Sequence, residues 1–191
     1  MRVKKILLVC SGNSCRSSMA EGLARHLLEQ KGLLDSVTVL SAGTAACAGH
    51  PATPEAVTAL SEEGIDLSNH RAQALTPELI KVADLVLTMT GSHRQQVLRL
   101  VPAAAGKVHL LKKYAESCAG ELETAESDWT YDIPDPFGQP LEVYRQVAQE
   151  LKNNLAIIIN RLPQWDGGPE AGKLSPESDE GETLVEDSSG Q

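Results

Sequence analysis

Aromatic side chains are scarce in this sequence, since Phe, Trp and Tyr together make up 3 % of its 191 residues. A site that stacks its ligand on aromatic rings therefore has few residues to use. Long apolar runs are also missing: no stretch of about 18 apolar residues could span a bilayer, and the apolar segment 6–9 is too short for a signal-peptide core. We therefore expect a cytoplasmic protein that does not bind membranes.

Basic residues are too few and too scattered for a nucleic-acid surface. The chain carries 17 Lys and Arg against 26 Asp and Glu, a formal net charge of −9. Eight acidic residues follow position 165, where Lys173 is the only basic residue, so the rest of the chain is close to neutral. No concentrated basic patch is present, which argues against nucleic-acid binding. We expect one folded domain over residues 1–162 and an acidic, disordered tail over residues 163–191.

The four cysteines, at positions 10, 15, 47 and 118, are too few for a disulfide scaffold and lack the close pairing of a zinc ribbon. We therefore predict reduced thiols, no metal site and no cofactor. Cys47 and Cys118 belong to no pattern and are interpreted as structural or incidental. Cys10 and Cys15 differ, because they lie in a short polar segment that directly follows an apolar run.

Apolar and amphipathic segments alternate along the chain, which is typical of α/β proteins. Strands are predicted over residues 3–9, 37–40, 83–89 and 108–111, and helices over residues 54–63, 77–82, 93–100 and 141–161. Another helix follows the first strand, with Ser17 or Ser18 placed to cap it. The pattern predicts a single domain with a four-stranded parallel sheet, helices on both faces, and a ligand site at the carboxyl ends of the strands.

The segment between the first strand and the first helix, Cys10-Ser11-Gly12-Asn13-Ser14-Cys15-Arg16-Ser17, combines groups that bind phosphate. Backbone N–H groups and the dipole at a helix start attract anions. With Arg16, they favour the thiolate form of Cys10, and only a thiolate is an effective nucleophile. Gly12 and Asn13 tolerate the positive φ that a curled loop requires. The loop therefore predicts a phosphate or sulfate site with Arg16 as a bidentate clamp.

Two other interpretations of this loop are weaker. Many ordinary strand-to-helix turns are rich in Gly, Ser and Asn, so the residue types alone do not prove a site. A nucleotide-binding loop is excluded, because no Gly-Lys-Ser or Gly-Lys-Thr follows.

Phosphate transfer to a cysteine also needs an acid that protonates the leaving group and a base that later activates water. Asp135 is the candidate, because Pro134 and Pro136 restrict its backbone. From the residues alone, Asp132 is an equally good candidate, and an aspartate in a proline-rich turn is often only a turn former.

The loop and its surroundings resemble the low-molecular-weight protein phosphatase family. The similarity covers about residues 3–162 and is carried by the run of residues 9–21 and by the motifs Ser41-Ala42-Gly43, Gly64-Ile65-Asp66, Asn69-His70-Arg71-Ala72, Ala83-Asp84-Leu85-Val86-Leu87-Thr88-Met89 and Asp135-Pro136-Phe137-Gly138. One departure is Ser18, where the family usually has a proline that presets the first helical turn.

The resemblance implies roles for individual residues. It implies that Cys10 is the nucleophile, Arg16 the phosphate clamp and Asp135 the acid. It also implies a supporting set around the loop: Asn13, Ser17, Ser41 and His70. Taken alone, a histidine such as His70 near polar residues is more often a surface or structural residue. Cys15 could be a zinc partner of Cys10 or a small buried residue, but the resemblance favours a redox guard that forms a disulfide with Cys10 under oxidation.

The substrate is predicted from Ser14 and Phe137. Tyrosine phosphatases of the family carry a bulky aliphatic residue at the Ser14 position and several aromatic residues around the cleft, which this chain lacks. Bacterial protein-arginine phosphatases resemble it in having a small hydroxyl residue there and a single Phe after the Asp-Pro. We therefore expect a monomeric phosphatase acting on phosphoarginine in proteins, with phosphotyrosine as the alternative.

Two further alternatives are less favoured. Thioredoxin-coupled arsenate reductases share the Ser14-type loop but need two more redox cysteines, and residues 88–93 contain none. A phosphate-binding module without enzymatic activity would not require an ionised Cys10.

Overall fold

The computed structural model describes residues 4–120 and 128–162. In this part of the chain the strands are β1 (Lys4–Cys10), β2 (Val37–Gly43), β3 (Leu85–Thr88) and β4 (Val108–Leu110). The helices are α1 (Arg16–Gln30), α2 (Pro54–Ser61), α3 (Pro77–Val82), α4 (Gly91–Leu100), α5 (Leu111–Ala119) and α6 (Leu141–Arg161), with 3₁₀ turns at Pro102–Lys107 and Asp128–Tyr131.

The described strands form one parallel sheet in the order β2-β1-β3-β4. At its carboxyl edge, Cys10 pairs with Gly43 of β2, and Val9 pairs with Thr88 of β3. The chain moves from β1 to one neighbour and then crosses to the other, so the carboxyl end of β1 is the switch point at which ligands bind in such sheets. Cys10, the last residue of β1, lies at this point.

Alternate residues of β1 supply the two halves of the core. Ile6 and Leu8 point to the face covered by α1, α2, α5 and α6, and Leu7 and Val9 point to the face covered by α3 and α4. These four side chains are at most 3 % exposed, and burial of each contributes about 1.5–3 kcal/mol to folding. Both predictions, a four-stranded parallel sheet and helices on both of its faces, are confirmed.

The sequence-based assignment missed one helix and placed one cap wrongly. The sequence predicts a strand over residues 108–111, but β4 ends at Leu110 and α5 begins at Leu111. No capping side chain marks this boundary, and apolar residues continue across it, so the sequence does not show where the helix begins. Ser17 and Ser18 do not cap α1, which already begins at Arg16 and has no side-chain cap. The Ser17 hydroxyl contacts the Cys10 sulfur instead.

The acidic segment 163–191 lies outside the described residues, and its disorder stays a prediction, as does the domain boundary at residue 162. Among the residues that the structure describes, no helix is long and apolar enough to cross a bilayer.

Candidate active site

The polar loop joins the end of β1 to the start of α1, as the sequence predicts. The expected positive φ occurs at Asn13, whose φ is 54°, and not at Gly12. Asn is one of the few residues other than Gly that adopt this left-handed conformation at low cost. The chain therefore turns sharply at Asn13, which brings its backbone N–H to the sulfur of Cys10.

The Cys10 thiol is 2 % exposed and receives hydrogen-bond donors from its own loop. The Asn13 backbone N–H donates to the Cys10 Sγ over 3.3 Å. The Ser17 Oγ lies 2.9 Å from the same sulfur. Donors in these positions stabilise a negatively charged sulfur, because a thiolate accepts hydrogen bonds and donates none.

The Asn13 side chain is completely buried and uses both of its polar ends. Its Nδ2 donates to the Ser17 Oγ over 2.9 Å and to the Ser41 Oγ over 2.8 Å. Its Oδ1 accepts the backbone N–H of Gln73 over 2.9 Å. Because buried amides are costly unless bonded, this arrangement specifies one loop conformation. Gln73 was not anticipated, since it contributes through its backbone.

Two more residues connect this network to the rest of the molecule. The His70 Nε2 donates to the Asn13 carbonyl oxygen over 2.7 Å. The Ser41 hydroxyl donates to the Glu21 carboxylate over 2.5 Å, and Glu21 also pairs with Arg25 over 2.7 Å. The structure thus brings His70 and Ser41 to the loop. The contact of Glu21 with Ser41 was not anticipated, because it joins α1 to β2 across 20 residues of sequence.

Arg16 lies under the loop and is 4 % exposed. Its Nη2 pairs with the Asp135 carboxylate over 2.6 Å, and its Nη1 donates to the Ile133 carbonyl oxygen over 3.2 Å. Its buried Nε has no partner among the described residues. A buried guanidinium with an unused donor is suited to an anion with several oxygens, such as a phosphoryl group.

The two candidate acids have different surroundings. The Asp135 side chain is half-exposed and lies on Arg16, and its other oxygen accepts the Phe137 backbone N–H over 3.2 Å. Asp132 instead accepts the backbone N–H of Gly91 over 2.7 Å at the first turn of α4. Asp135 therefore adjoins the predicted phosphate clamp, whereas Asp132 stabilises a helix start.

Ser14 and Cys15 contact Thr53, and Cys15 also contacts Tyr144. The Ser14 carbonyl oxygen accepts the Thr53 backbone N–H over 2.9 Å. The buried Cys15 Sγ lies 3.6 Å from both the Thr53 hydroxyl and the Tyr144 hydroxyl. Burial raises the pKa of Tyr144 to about 12, so its hydroxyl stays protonated. All four cysteines are free thiols in this structure.

His93 was missed by the sequence interpretation. It is 4 % exposed, and its Nε2 lies 2.8 Å from the Ser11 hydroxyl. Burial and the nearby charge of Arg16 lower its pKa to about 4, although Asp132 and Asp135 act in the opposite direction. A lone histidine near the start of a helix carries no sequence signal for such a role.

The approach of β2 to the loop leaves no room for a side chain at Gly43. A Cβ there would lie 2.4 Å from the Ser11 carbonyl oxygen and 2.9 Å from the Asn13 nitrogen. We expect Gly43→Ala to lower the free energy of unfolding by roughly 1–3 kcal/mol or more, because backbone must move. Thermal unfolding measures this effect. Gly106→Ala is the control, since a Cβ there would meet nothing within 4 Å, and an equal loss in both variants would contradict the prediction.

Within the described residues, no cluster of three or more His, Cys, Asp or Glu side chains could hold a metal ion. The arrangement is a buried thiol with hydrogen-bond donors, a buried guanidinium and a carboxylate open to the surface. Such a set can accept a phosphoryl group and manage the protons of its transfer.

Comparisons with known proteins agree with this geometry. The family described as Low molecular weight phosphotyrosine protein phosphatase matches residues 5–164. The Protein-arginine-phosphatase of Bacillus subtilis is 40 % identical over 82 % of this chain and 95 % of its own length. The Probable low molecular weight protein-tyrosine-phosphatase EpsP of Ralstonia nicotianae is 37 % identical over 84 % of this chain and 97 % of its own.

A solved structure of the YwlE arginine phosphatase is also similar, with a TM-score of 0.74 and 38 % identity over 84 % of this chain and 96 % of that one. It is a cysteine-to-serine mutant that carries a phosphorylated active-site serine.

Proposed function

Because this chain belongs to the low molecular weight phosphotyrosine protein phosphatase family, we propose that it is a cysteine-dependent phosphatase that removes phosphate from phosphoarginine in proteins. One observation supports this proposal. A single loop holds the Cys10 sulfur, with donors from Ser17 and Asn13, and also Arg16, which pairs with Asp135. The alternative substrate is phosphotyrosine.

In the first step, the Cys10 thiolate attacks the phosphorus of the substrate and forms a phosphorus–sulfur bond. The bond from phosphorus to the guanidino nitrogen breaks, and that nitrogen takes a proton from Asp135. Arg16, with its unused Nε donor, and the loop N–H groups bind the phosphoryl oxygens and stabilise the charge that they carry in the transition state.

In the second step, water attacks the phosphorus of the thiophosphoryl enzyme. The Asp135 carboxylate formed in the first step takes a proton from this water, and the phosphorus–sulfur bond breaks. Inorganic phosphate leaves, and Cys10 returns as a thiolate that accepts the Ser17 hydroxyl and Asn13 N–H. We expect phosphate or sulfate to occupy the same loop when present.

The supporting residues hold the loop in the shape that this chemistry needs. Asn13 bonds Ser17, Ser41 and Gln73 at the same time, and His70 holds the Asn13 carbonyl. These contacts keep the N–H groups of the loop in place before the substrate arrives. Cys15 stays a proposed redox guard of Cys10, held by two hydroxyls in the reduced state.

The preference for phosphoarginine is supported by the residues around the mouth. Ser14 is small, and Phe137, two residues after Asp135, is an aromatic residue with 69 % of its surface exposed. A polar guanidinium fits such a site better than a phenyl ring that requires several aromatic neighbours. The 40 % identity to the Bacillus protein-arginine phosphatase supports this choice.

Phosphotyrosine remains the second candidate, because EpsP is 37 % identical over nearly its whole length. An arsenate reductase is disfavoured further by Cys118, because burial raises the pKa of its thiol and so weakens it as a redox nucleophile. The cytoplasmic location and the monomeric state stay predictions from the sequence.

The test compares wild type and Ser14→Ile on protein phosphoarginine and on phosphotyrosine. We expect the bulky side chain to lower kcat/KM for phosphoarginine by about tenfold or more and to leave or raise that for phosphotyrosine. Ser14→Thr, which keeps the hydroxyl, is the matched control and should retain phosphoarginine activity. Higher phosphoarginine activity in Ser14→Ile, or wild-type activity on phosphotyrosine alone, would contradict the proposed substrate.

A further inference from the structure

Ser11 and His93 form a hydrogen-bonded pair that joins the Cys10 loop to the start of α4. The Ser11 Oγ lies 2.8 Å from the His93 Nε2, and the Nδ1 of the same ring lies 2.8 Å from the Thr90 Oγ1. Thr90 also accepts the His93 backbone N–H over 3.3 Å as the cap of α4. The ring is therefore fixed at both nitrogens between the loop and a helix start.

Charged residues of the proposed active site act on the His93 ring. The groups that act on the ring are the guanidinium of Arg16 and the carboxylates of Asp132 and Asp135. Ser11 directly follows Cys10 in the loop, and the charges of Arg16 and Asp135 both act on the His93 ring, so the pair belongs to the same site as the proposed nucleophile and acid. Ser11 is only partly buried, so its oxygen can meet a ligand.

A neutral imidazole carries one N–H, so two arrangements of protons are possible. In one, the Nδ1–H donates to Thr90, and the Nε2 accepts the Ser11 hydroxyl, which leaves the Ser11 oxygen as an acceptor. In the other, the Nε2–H donates to Ser11, whose own proton then faces the cleft. The Thr90 oxygen accepts the His93 backbone N–H and can either accept from the ring Nδ1–H or donate to the ring Nδ1, so these contacts fit both arrangements.

The chemistry of the leaving group distinguishes the two arrangements. A guanidino group presents N–H donors around its edge and no strong acceptor in its charged form, so it needs acceptors in the wall of the site. The phenol oxygen of phosphotyrosine has no N–H to offer. We propose that Ser11 is a specificity residue that accepts a hydrogen bond from the substrate guanidinium, and that His93 is the positioning residue that turns its hydroxyl proton away from the cleft.

This inference rests on the proposed function, and it accounts for the burial of His93. A ring that stays neutral does not repel a guanidinium, whereas an imidazolium would donate from both nitrogens and add a positive charge. Burial and the charge of Arg16 lower the pKa of His93 to about 4, so the ring stays uncharged at neutral pH and adds no positive charge beside the substrate.

The test has a kinetic part and a spectroscopic part. Ser11→Ala and His93→Leu should each lower kcat/KM for phosphoarginine by about tenfold, the value of one hydrogen bond to a charged group. For phosphotyrosine the change should stay below about threefold, because a phenol oxygen donates no hydrogen bond to Ser11. The double variant should lose no more of its kcat/KM for phosphoarginine than either single variant, because both substitutions remove the same interaction. Ser11→Thr, which keeps the hydroxyl, should keep the preference for phosphoarginine, and His26→Gln, a substitution of a histidine on α1, is the control.

Nitrogen NMR of the His93 ring supplies the independent readout. We expect the Nδ1–H tautomer at neutral pH, and finding the Nε2–H tautomer would overturn the proposal. Equal losses for both substrates, or losses that multiply in the double variant, would overturn it too. If His93→Leu does not fold, the kinetics of Ser11→Ala and the tautomer of the wild-type ring still test the proposal. Wild type acting on phosphotyrosine alone would refute both proposals, whereas a wild type active on phosphoarginine with an unaffected Ser11→Ala would refute only this one.

Discussion

Serine in place of Cys10 is expected to reduce turnover of every phosphorylated substrate by on the order of 10⁴-fold or more. A serine hydroxyl needs an adjacent base to become a nucleophile. The groups bonded to the Cys10 sulfur are a hydroxyl and a backbone N–H, and neither of them is a base. Serine fits the same space, so the thermal unfolding midpoint should change little while kcat collapses.

The chain offers two matched controls for this substitution. Cys47 is exposed and Cys118 is partly buried, and serine at either position should leave kcat within about threefold of wild type, because neither residue belongs to the Cys10 loop. Residual Cys10→Ser activity above about one hundredth of wild type, in a folded protein, would show that Cys10 is not the nucleophile.

Asparagine in place of Asp135 is expected to lower kcat by about 10²- to 10⁴-fold, the usual loss for a missing acid or base. The amide oxygen can still accept from Arg16, so the loop should remain intact. The loss should be smaller for an aryl phosphate with a good leaving group, because such a group departs without a proton. Steady-state and single-turnover rates on both substrates measure the difference.

Asp132→Asn is the control for this experiment. Its amide oxygen can replace the carboxylate as acceptor of the Gly91 N–H, so we expect kcat to stay within about threefold of wild type and stability to fall slightly as the helix start loses a negative charge. If Asp132→Asn proved the more damaging of the two for turnover, the assignment of the acid would be wrong.

Much of the fold could be predicted because the residue patterns are local. The apolar run that becomes β1 and the Pro-led starts of α2 and α3 determine their elements with little help from the rest of the chain. The position of the loop at a strand end also follows from neighbouring residues. Helix α5 could not be predicted in this way, because β4 passes into it without a turn or a cap.

The parts of the site that were missed depend on contacts between distant segments. Gln73 meets Asn13 through a backbone N–H, and His93 meets Ser11 from 82 residues away. Neither residue type nor spacing indicates such contacts. The choice between Asp132 and Asp135 has the same origin, since only the fold shows which carboxylate lies on Arg16 and which lies on a helix start.

The pairing of Arg16 with Asp135 also affects which ligands can enter without penalty. In the free protein each ion already neutralises the other across 2.6 Å. A purely anionic ligand that takes Arg16 leaves the carboxylate without its counter-ion. A phosphorylated guanidine carries both signs, so its phosphoryl oxygens can replace Asp135 on Arg16 while its N–H groups lie against the oxygens of Asp135. Binding of such a zwitterion therefore gives Arg16 a new acceptor and Asp135 a new donor, and it brings the acid to the nitrogen that it protonates.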